Sequence, residues 1–459
     1  MSNSIEFTPQ PKPLSMNKVL KTWLPLLGSW ILMSIELPII TSIIARLANP
    51  EVNLAAYGGV VYPLALIIEA PIVMILAAST ALSKDWASYQ RLKKYTMIIG
   101  LVMSGLHLII AVTPLYYFIV EVLLHVPPEV VEPARWGVLV MTPWTFGIGV
   151  RRFQQGAMIR FNRSHMVGET TVVRLITVSI VLLVSMAVKT IPGTLVAGLA
   201  QGLAVNMEAV YATLRIRKIL PEIKNAPLVD RPLTLKRFIS FYLPLAATAA
   251  FSLVWMSLIS AAISRMPDPL ESLAVWSVLT GLLFLLRSPG LAYNEAVVAL
   301  LDQPRSYRVL RKFTLTASLA VLGIVVLFVV TPASQFWFTN IANLSGGDIQ
   351  TARIALSIGV PLTFLNLYIN YFQGMIVKSE KTRPIFEAVV GFMILLLALL
   401  GLGVAVGEVK GIYVASFAFL VGHLFQASWL WIRSRKERRL LAQTDGGVVR
   451  PGNSEIPGE

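Results

Sequence analysis

Apolar positions in this chain fall in long unbroken blocks, recurring from Trp23 to Ile432. Several exceed the roughly 20 residues a helix needs to cross a bilayer. None shows the period-two alternation of a membrane β-strand. The pattern predicts twelve helical spans, at 22–46, 54–82, 95–124, 134–161, 167–189, 193–214, 238–264, 272–301, 313–338, 351–378, 384–406 and 410–432.

The connections between these blocks alternate in basic content. One set, with the N-terminal stretch and the tail after 432, holds 29 lysines and arginines. The other set holds six: Arg46, Arg135, Lys189, Arg265, Arg353 and Lys410. Excess positive charge stays in the cytoplasm, so both termini are expected there. The opening stretch lacks an apolar signal core and a small-residue cleavage site, so the first span is expected to direct insertion.

The pattern also repeats. "WLPL" at 23–26 matches "YLPL" at 242–245, and "SIIARLANPEVNLAAY" (42–57) matches "AAISRMPDPLESLAVW" (261–276). "YQRLKKYT" (89–96) matches "YRVLRKFT" (307–314), and "FQQGAMI" (153–159) matches "YFQGMIV" (371–377). The offset is 219 residues at first and 218 later, which indicates a duplication. Six spans per copy give both copies the same orientation, facing each other across a central cleft. The expected organisation is a cytoplasmic stretch 1–21, an N-lobe 22–214, a basic linker 215–237, a C-lobe 238–432 and a disordered cytoplasmic tail 433–459. The fold class is therefore an all-α membrane protein of twelve transmembrane helices in two pseudo-symmetric six-helix lobes.

Composition agrees with this. Hydrophobic residues make up 56% and charged residues 14%, against about 25% charged in soluble domains. The net charge of +15 follows from topology, so a nucleic-acid partner is not expected. With no cysteine there is no thiolate chemistry. No Walker A or HExxH pattern occurs, and "GLGVAVG" (401–407) lacks dinucleotide spacing. No nucleophile–base pair is evident, so an enzyme is not expected, nor a resident metal or cofactor.

The informative residues are charges inside apolar spans. These are expensive in lipid unless they meet a partner or a wet cavity. Arg287 and Glu295 flank Pro289 and Gly290 in "LLFLLRSPGLAYNEAVV" (282–298). Eight residues of helix separate them, about 12 Å, too far for a direct pair. Glu36 precedes Pro38, Glu69 precedes Pro71, and Arg151 and Arg152 lie in the fourth span. Asn294, Asn366 and Asn370 add polar groups. Under the repeat, Glu36 corresponds to Trp255, Glu69 to Ser288 and Arg151 to Ile369, so the charges were not duplicated. These groups are expected to define one asymmetric wet cavity, with Pro38, Pro71 and Pro289 as hinges, alongside Pro25 and Pro244 as bend points. Glu36 and Glu69 pairing with arginines as structural glue is the plainer reading. Glu208, Glu169 and Arg174 read as snorkelling or capping groups, and His107 and His423 as packing groups. Gly198/Gly202 and Gly403/Gly407 read as close helix contacts.

Two duplicated lobes with bent first and seventh spans resemble the multidrug and toxic compound extrusion (MATE) fold. That fold belongs to the multidrug/oligosaccharidyl-lipid/polysaccharide exporter superfamily. "AAYGGVVYPL" (55–64), "HVPPEVVEPAR" (125–135), "QQGAMIRFNRSHMVG" (154–168), "SFYLPLA" (240–246) and "RSPGLAYNEAVVALLD" (287–302) more specifically resemble the progressive ankylosis family. By that resemblance Glu295 matches an acidic position and Arg287 a basic-type one. Glu36 falls near an acidic position, while Glu69 departs from a neutral polar one. The resemblance implies a secondary exporter of organic or phosphate-bearing anions such as citrate, ATP or pyrophosphate, rocking between two lobes. Efflux of cationic drugs, coupled to H+ or Na+, is one alternative; flipping of a lipid-linked sugar is another. The expected setting is a monomer in the cell (inner) membrane, partnered by lipid and a small-molecule substrate.

Overall fold

The computed structural model describes residues 13–161, 163, 165–228, 233–301, 303–378 and 383–445. Among these residues every regular element is a helix and no strand occurs. The first half runs through α1 (Met16–Ser34), α2 (Glu36–Ile44), α3 (Pro50–Ala56), a π turn (Tyr57–Val61), α4 (Tyr62–Val73) and α5 (Ile75–Leu82). It continues with α6 (Trp86–Val112), α7 (Leu115–Tyr117) leading into a π turn (Phe118–Leu123), α8 (Pro128–Arg160), α9 (His165–Val188) and α10 (Gly193–Ile216). A short α11 (Leu220–Lys224) lies in the predicted linker. The second half holds α12 (Leu235–Leu253), α13 (Trp255–Ile263), α14 (Pro269–Leu300), α15 (Ser306–Val330) and α16 (Pro332–Phe336), the last leading into a π turn (Trp337–Ile341). Helices α17 (Gly346–Lys378), α18 (Arg383–Val406), α19 (Gly411–Arg433) and α20 (Arg435–Asp445) complete it.

Ten helical stretches among the described residues are long and apolar enough to cross a membrane. The chain is a multi-pass membrane protein. The predicted segments 134–161 and 238–264 are not among the ten. The first lies in α8, whose acids and arginines dilute its apolar character. The second covers α12 and α13, which follow one another as α1 and α2 do in the span Met16–Ile44. Segment 95–124 is not one helix either. Thr113 adopts extended backbone, and Pro114 starts a new turn.

Duplication extends to the backbone. A shift of 219 residues carries α1 onto α12 and α2 onto α13, end for end. A shift of 218 carries α8 onto α17 and α9 onto α18. Left-handed residues recur likewise: Asn49 with Asp268, His125 with Asn343, and Lys189 with Gly407.

Each lobe lends its first helix to the other. α1 packs on α14, and α12 packs on α4. The Trp23 indole donates to the Pro289 carbonyl at 3.0 Å, and the Tyr242 hydroxyl to the Pro71 carbonyl at 2.5 Å. These contacts are equivalent under the repeat with Pro71 matched to Pro289 at the 218 offset, which places Glu69 opposite Arg287 and not opposite Ser288 as the 219 offset has it. The lobes also meet directly where α3 and its π turn pack on α14. A Cβ on Gly58 would lie 2.2 Å from the Ser277 Cβ, so the closeness of this contact requires glycine.

Helix breaks fall beside two of the three expected hinge prolines. Pro38 sits in the first turn of α2, where its ring opposes the Ser34 carbonyl, and α1 ends at Ser34. Pro71 lies inside α4, and the break follows it at Met74. Pro289 does not break α14. The Leu285 carbonyl that Pro289 leaves without its N–H partner accepts the Ser288 hydroxyl at 2.7 Å.

Both ends of the described chain meet at the α14–α15 turn. The Leu14 amide donates to the Pro304 carbonyl at 2.9 Å, and the Arg308 amide donates to the Asp445 carboxylate at 2.8 Å. Part of the tail expected to be disordered is thus the helix α20, with Arg438 stacked over Trp431 and Phe372. The rest of that tail, 446–459, lies outside the described residues, as do 1–12 of the N-terminal stretch and 229–232 of the linker.

Candidate functional site

A cavity of about 290 Å³ lies between the halves. Leu37, Tyr62 and Leu66 face it from the first half; Trp255, Trp276, Phe284, Phe419 and Arg287 face it from the second. No carboxylate is among the lining residues. The Arg287 guanidinium sits 5.5 Å from the centre of the Phe419 ring. Phe419 in turn packs on Trp255 at 4.9 Å with the rings tilted by 32°, and meets Phe392 edge-on at 5.9 Å. His423 packs on the same rings and bonds the Phe419 carbonyl at 2.9 Å. Among the described residues Arg287 has no carboxylate partner. Half-buried, the guanidinium lies over an aromatic face that favours a cation.

The other buried charges form a separate cluster inside the first half. Arg174 on α9 pairs with Glu36 at the start of α2. Its Nε lies 4.0 Å from Glu208 on α10. Arg151 on α8 donates to Glu208 at 2.8 Å. Gln155, one turn further along α8, donates to Glu208 at 3.0 Å, and Thr170 does so at 3.1 Å. Glu208 is fully buried, and Glu36 and Arg151 are nearly so. Such a group survives in a low-dielectric interior only when charges pair and lone pairs are satisfied. Four helices are tied together by this network.

Glu69 and Arg152 border the cluster. Glu69 is 4% exposed and has no hydrogen bond or ion pair among the described residues. Arg152 is the charge that acts most strongly upon it, followed by Arg151 and Arg174. The Arg152 Nε has no hydrogen-bond partner. Leu66, one turn before Glu69 on α4, lines the central cavity. Glu69 therefore stands near the boundary between cluster and cavity.

Several predicted site residues lie elsewhere. Glu295 is exposed and accepts the Trp30 indole at 3.0 Å. Asn366 donates to the Arg287 carbonyl at 2.6 Å, Asn370 to Asn366 at 2.8 Å, and Asn294 to the Asn370 carbonyl at 3.2 Å. The three asparagines join α14 to α17 beside Pro289, where a Cβ on Gly290 would meet Asn366 Nδ2 at 2.5 Å. The expectation of one shared cleft for all the charges is thus corrected. Arg287 faces the cavity, the first-half arginines and acids mostly neutralise one another, and the asparagines hold backbone.

Two residues read as peripheral from sequence are central. Glu208 and Arg174 are core members of the ion cluster, not snorkelling groups. Their signal is a polar stripe: Arg151 with Gln155 on α8, and Thr170 with Arg174 on α9, each four residues apart on one helix face. Glu169 keeps a peripheral place, pairing with Arg215 at 2.5 Å. His107 is held by Thr145 and the Val138 carbonyl inside the helix packing.

Under the repeat the charges of the cluster map onto uncharged residues. Glu36 corresponds to Trp255, Arg174 to Phe392, Arg151 to Ile369 and Glu208 to Gln426. The same location is ionic in one lobe and uncharged, with two aromatic rings, in the other.

No protein-family model and no curated protein matches the sequence. Solved structures do match in shape. One, described as the inward-facing conformation of a multidrug resistance MATE family transporter of the MOP superfamily, aligns with a TM-score of 0.73 at 14% identity, over 94% of this chain and 100% of that one. A MOP superfamily transporter from Pyrococcus furiosus, described as having a binding pocket of reverse polarity, aligns at 0.64 and 13% identity, over 93% of this chain and 96% of that one. The eukaryotic MATE transporter AtDTX14 aligns at 0.61 and 13%, over 95% and 100% of the two chains. The chain therefore has a MATE-like fold.

Proposed function

We propose that this chain is a secondary exporter of organic anions, working by alternating access between its two lobes, and not an enzyme. The observation that carries the reading is Arg287. It is a guanidinium with no carboxylate partner among the described residues, facing a central cavity with aromatic walls. The first-half charges cancel: Glu36, Glu69 and Glu208 balance Arg151, Arg152 and Arg174. The surplus charge in the centre is therefore positive, and a desolvated guanidinium binds a carboxylate or phosphate through strong charge-assisted hydrogen bonds. One arginine among large aromatic rings suits an anion with an apolar body better than bare pyrophosphate. Carboxylates or phosphate esters carrying a ring are the substrates this reading favours. The ankylosis-like sequence stretches point to the same class.

In this reading the chain crosses the cell (inner) membrane twelve times as a monomer, with α8 and α12–α13 completing the set. Both termini are cytoplasmic, as the basic connections imply. Glu69, lacking a direct partner at the cluster boundary, is the group that takes up a coupling proton; Na+ is the alternative coupling ion. A second reading is efflux of cationic drugs. The aromatic walls favour it, and Arg287 opposes it.

The test is transport into inside-out vesicles, with citrate, ATP and an aryl carboxylate as substrates. Loss of uptake in Arg287→Ala, with partial retention in Arg287→Lys, is expected. Unchanged transport of every anion in Arg287→Ala overturns the reading. Ethidium transport that rises in the same variant supports the cationic alternative.

A further inference from the structure

Arg46 and Arg265 occupy the same place in the two copies, 219 residues apart, each just past the end of a lobe's second helix, α2 or α13. Each reaches into the opposite lobe. Arg46 donates to the Ile341 carbonyl at 2.7 Å and to the Asn340 carbonyl. Arg265 donates to the carbonyls of Leu123 at 2.7 Å, Leu124 at 3.1 Å and Val122 at 3.3 Å. The acceptors close the two π turns, which are themselves equivalent under the repeat.

The chemistry of the two contacts is alike. The last carbonyls of a helix lack intrahelical donors and carry the negative end of its dipole. A guanidinium fork fits two or three such oxygens at once. Each arginine is also held to its own helix, Arg46 by the Ser42 carbonyl at 2.6 Å and Arg265 by the Ala261 carbonyl at 2.6 Å. The Arg46 side is reinforced by the Ser42 hydroxyl on the Ile341 carbonyl at 2.5 Å and by the Asn343 amide on the Ala45 carbonyl at 2.6 Å. Among the described residues neither arginine pairs with a carboxylate, so carbonyls of its own helix and of the opposing helix end answer each charge. These contacts lie at the far end of α2 and α13 from the Trp23 and Tyr242 anchors, away from the turn where the chain ends meet.

We infer that Arg46 and Arg265 are a paired latch, which holds the two lobes shut at the end away from the chain termini and must release in each transport cycle. The inference rests on the alternating-access reading above. A guanidinium that leaves these carbonyls finds water at the exposed rim, so the contact is reversible. A dry staple of packed side chains would not be. Two equivalent latches also let the lobes separate symmetrically.

The test reads lobe separation directly and needs no substrate. The natural chain has no cysteine, so Glu129→Cys and Gly347→Cys place one pair of spin labels on equivalent exposed positions of the two lobes. Electron–electron distance measurements in lipid nanodiscs then compare the parent pair with Arg46→Gln, Arg265→Gln and both together. The double variant is expected to raise the long-distance population about ten-fold, with each single variant in between. An unchanged distribution in a monodisperse double variant overturns the latch, and a lowered melting temperature with unchanged distances shows a static staple and overturns it too. Where the double variant does not fold, the single variants decide by the same criterion. Failure to transport any anion, with the distances shifted, removes the functional reading and leaves the latch.

Discussion

Arg151 donates to Glu208 at 2.8 Å, with side chains 6% and 0% exposed. The pair lies on the two helices, α8 and α10, that pack most extensively within the first lobe. Removing one partner leaves the other charged and dry, a loss of about 3–5 kcal/mol for a buried pair. Glu208→Ala is expected to unfold at clearly lower temperature in detergent than the natural chain. Glu208→Gln, which keeps hydrogen-bonding capacity toward Gln155 and Thr170, is expected to lose less. Melting curves of the two variants side by side check this. Equal stability of Glu208→Ala and the natural chain would show that the pair holds nothing.

Arg287 and Phe419 are predicted to act together on substrate. The ring supports the guanidinium at 5.5 Å and adds about 0.5–2 kcal/mol when desolvated. Phe419→Leu should therefore weaken anion transport about three- to ten-fold, and Arg287→Ala by more. In the double variant the loss should be no greater than in Arg287→Ala alone, because the ring acts through the charge. Initial rates in proteoliposomes across a substrate series give all three numbers. Additive losses would mean that Phe419 touches substrate independently of Arg287.

The duplication is legible in the sequence because both copies preserve the residues that shape backbone. Asn49 and Asp268, each followed by proline, set the same left-handed cap. The breaks at Ile35 and Val254 obey the same offset, yet only the first has a proline beside it, Pro38, where the second has Ser257. The buried charges are legible as a set, since arginine and glutamate stand out in an apolar block. Their partners are not. Whether Arg151 meets Glu69 or Glu208 depends on which helix faces meet, and that is a property of tertiary packing. Arg174 and Glu208 lie near the ends of predicted spans, where lipid headgroups could have received them. Only the crossing of α8, α9 and α10 encloses them. Pro289 is misleading for a similar reason: Ser288 and Asn366 satisfy the carbonyls around it, so the helix continues.

Glu69 is predicted to couple transport to protons. Among the described residues it has no direct partner, whereas Glu36 is held by Arg174 and Glu208 by Arg151. A carboxylate freed from pairing is the one able to exchange a proton with a cavity. Glu69→Gln should abolish uptake driven by a pH gradient while preserving exchange of substrate across vesicles at equal pH. Glu36→Gln should instead disturb folding through the stranded Arg174. Measuring gradient-driven uptake and equilibrium exchange in the same vesicles separates the two roles. Retained proton-driven uptake in Glu69→Gln, or its replacement by a sodium gradient, would remove Glu69 from the coupling step.

Gly58 is predicted to set how closely the lobes approach. A Cβ there would fall 2.2 Å from the Ser277 Cβ and 2.6 Å from the Ser277 Cα, so a methyl group must force the π turn after α3 away from α14. Overpacking of this kind typically costs about 1–3 kcal/mol. Part of the clash is with the Ser277 side chain and part with its backbone. Gly58→Ala should therefore destabilise the closed arrangement, and adding Ser277→Gly should restore some but not all of the loss. The coupling between the two substitutions, read from melting temperatures as a double-mutant cycle, should be favourable. A zero coupling term would mean that the lobes do not meet at this point in the membrane.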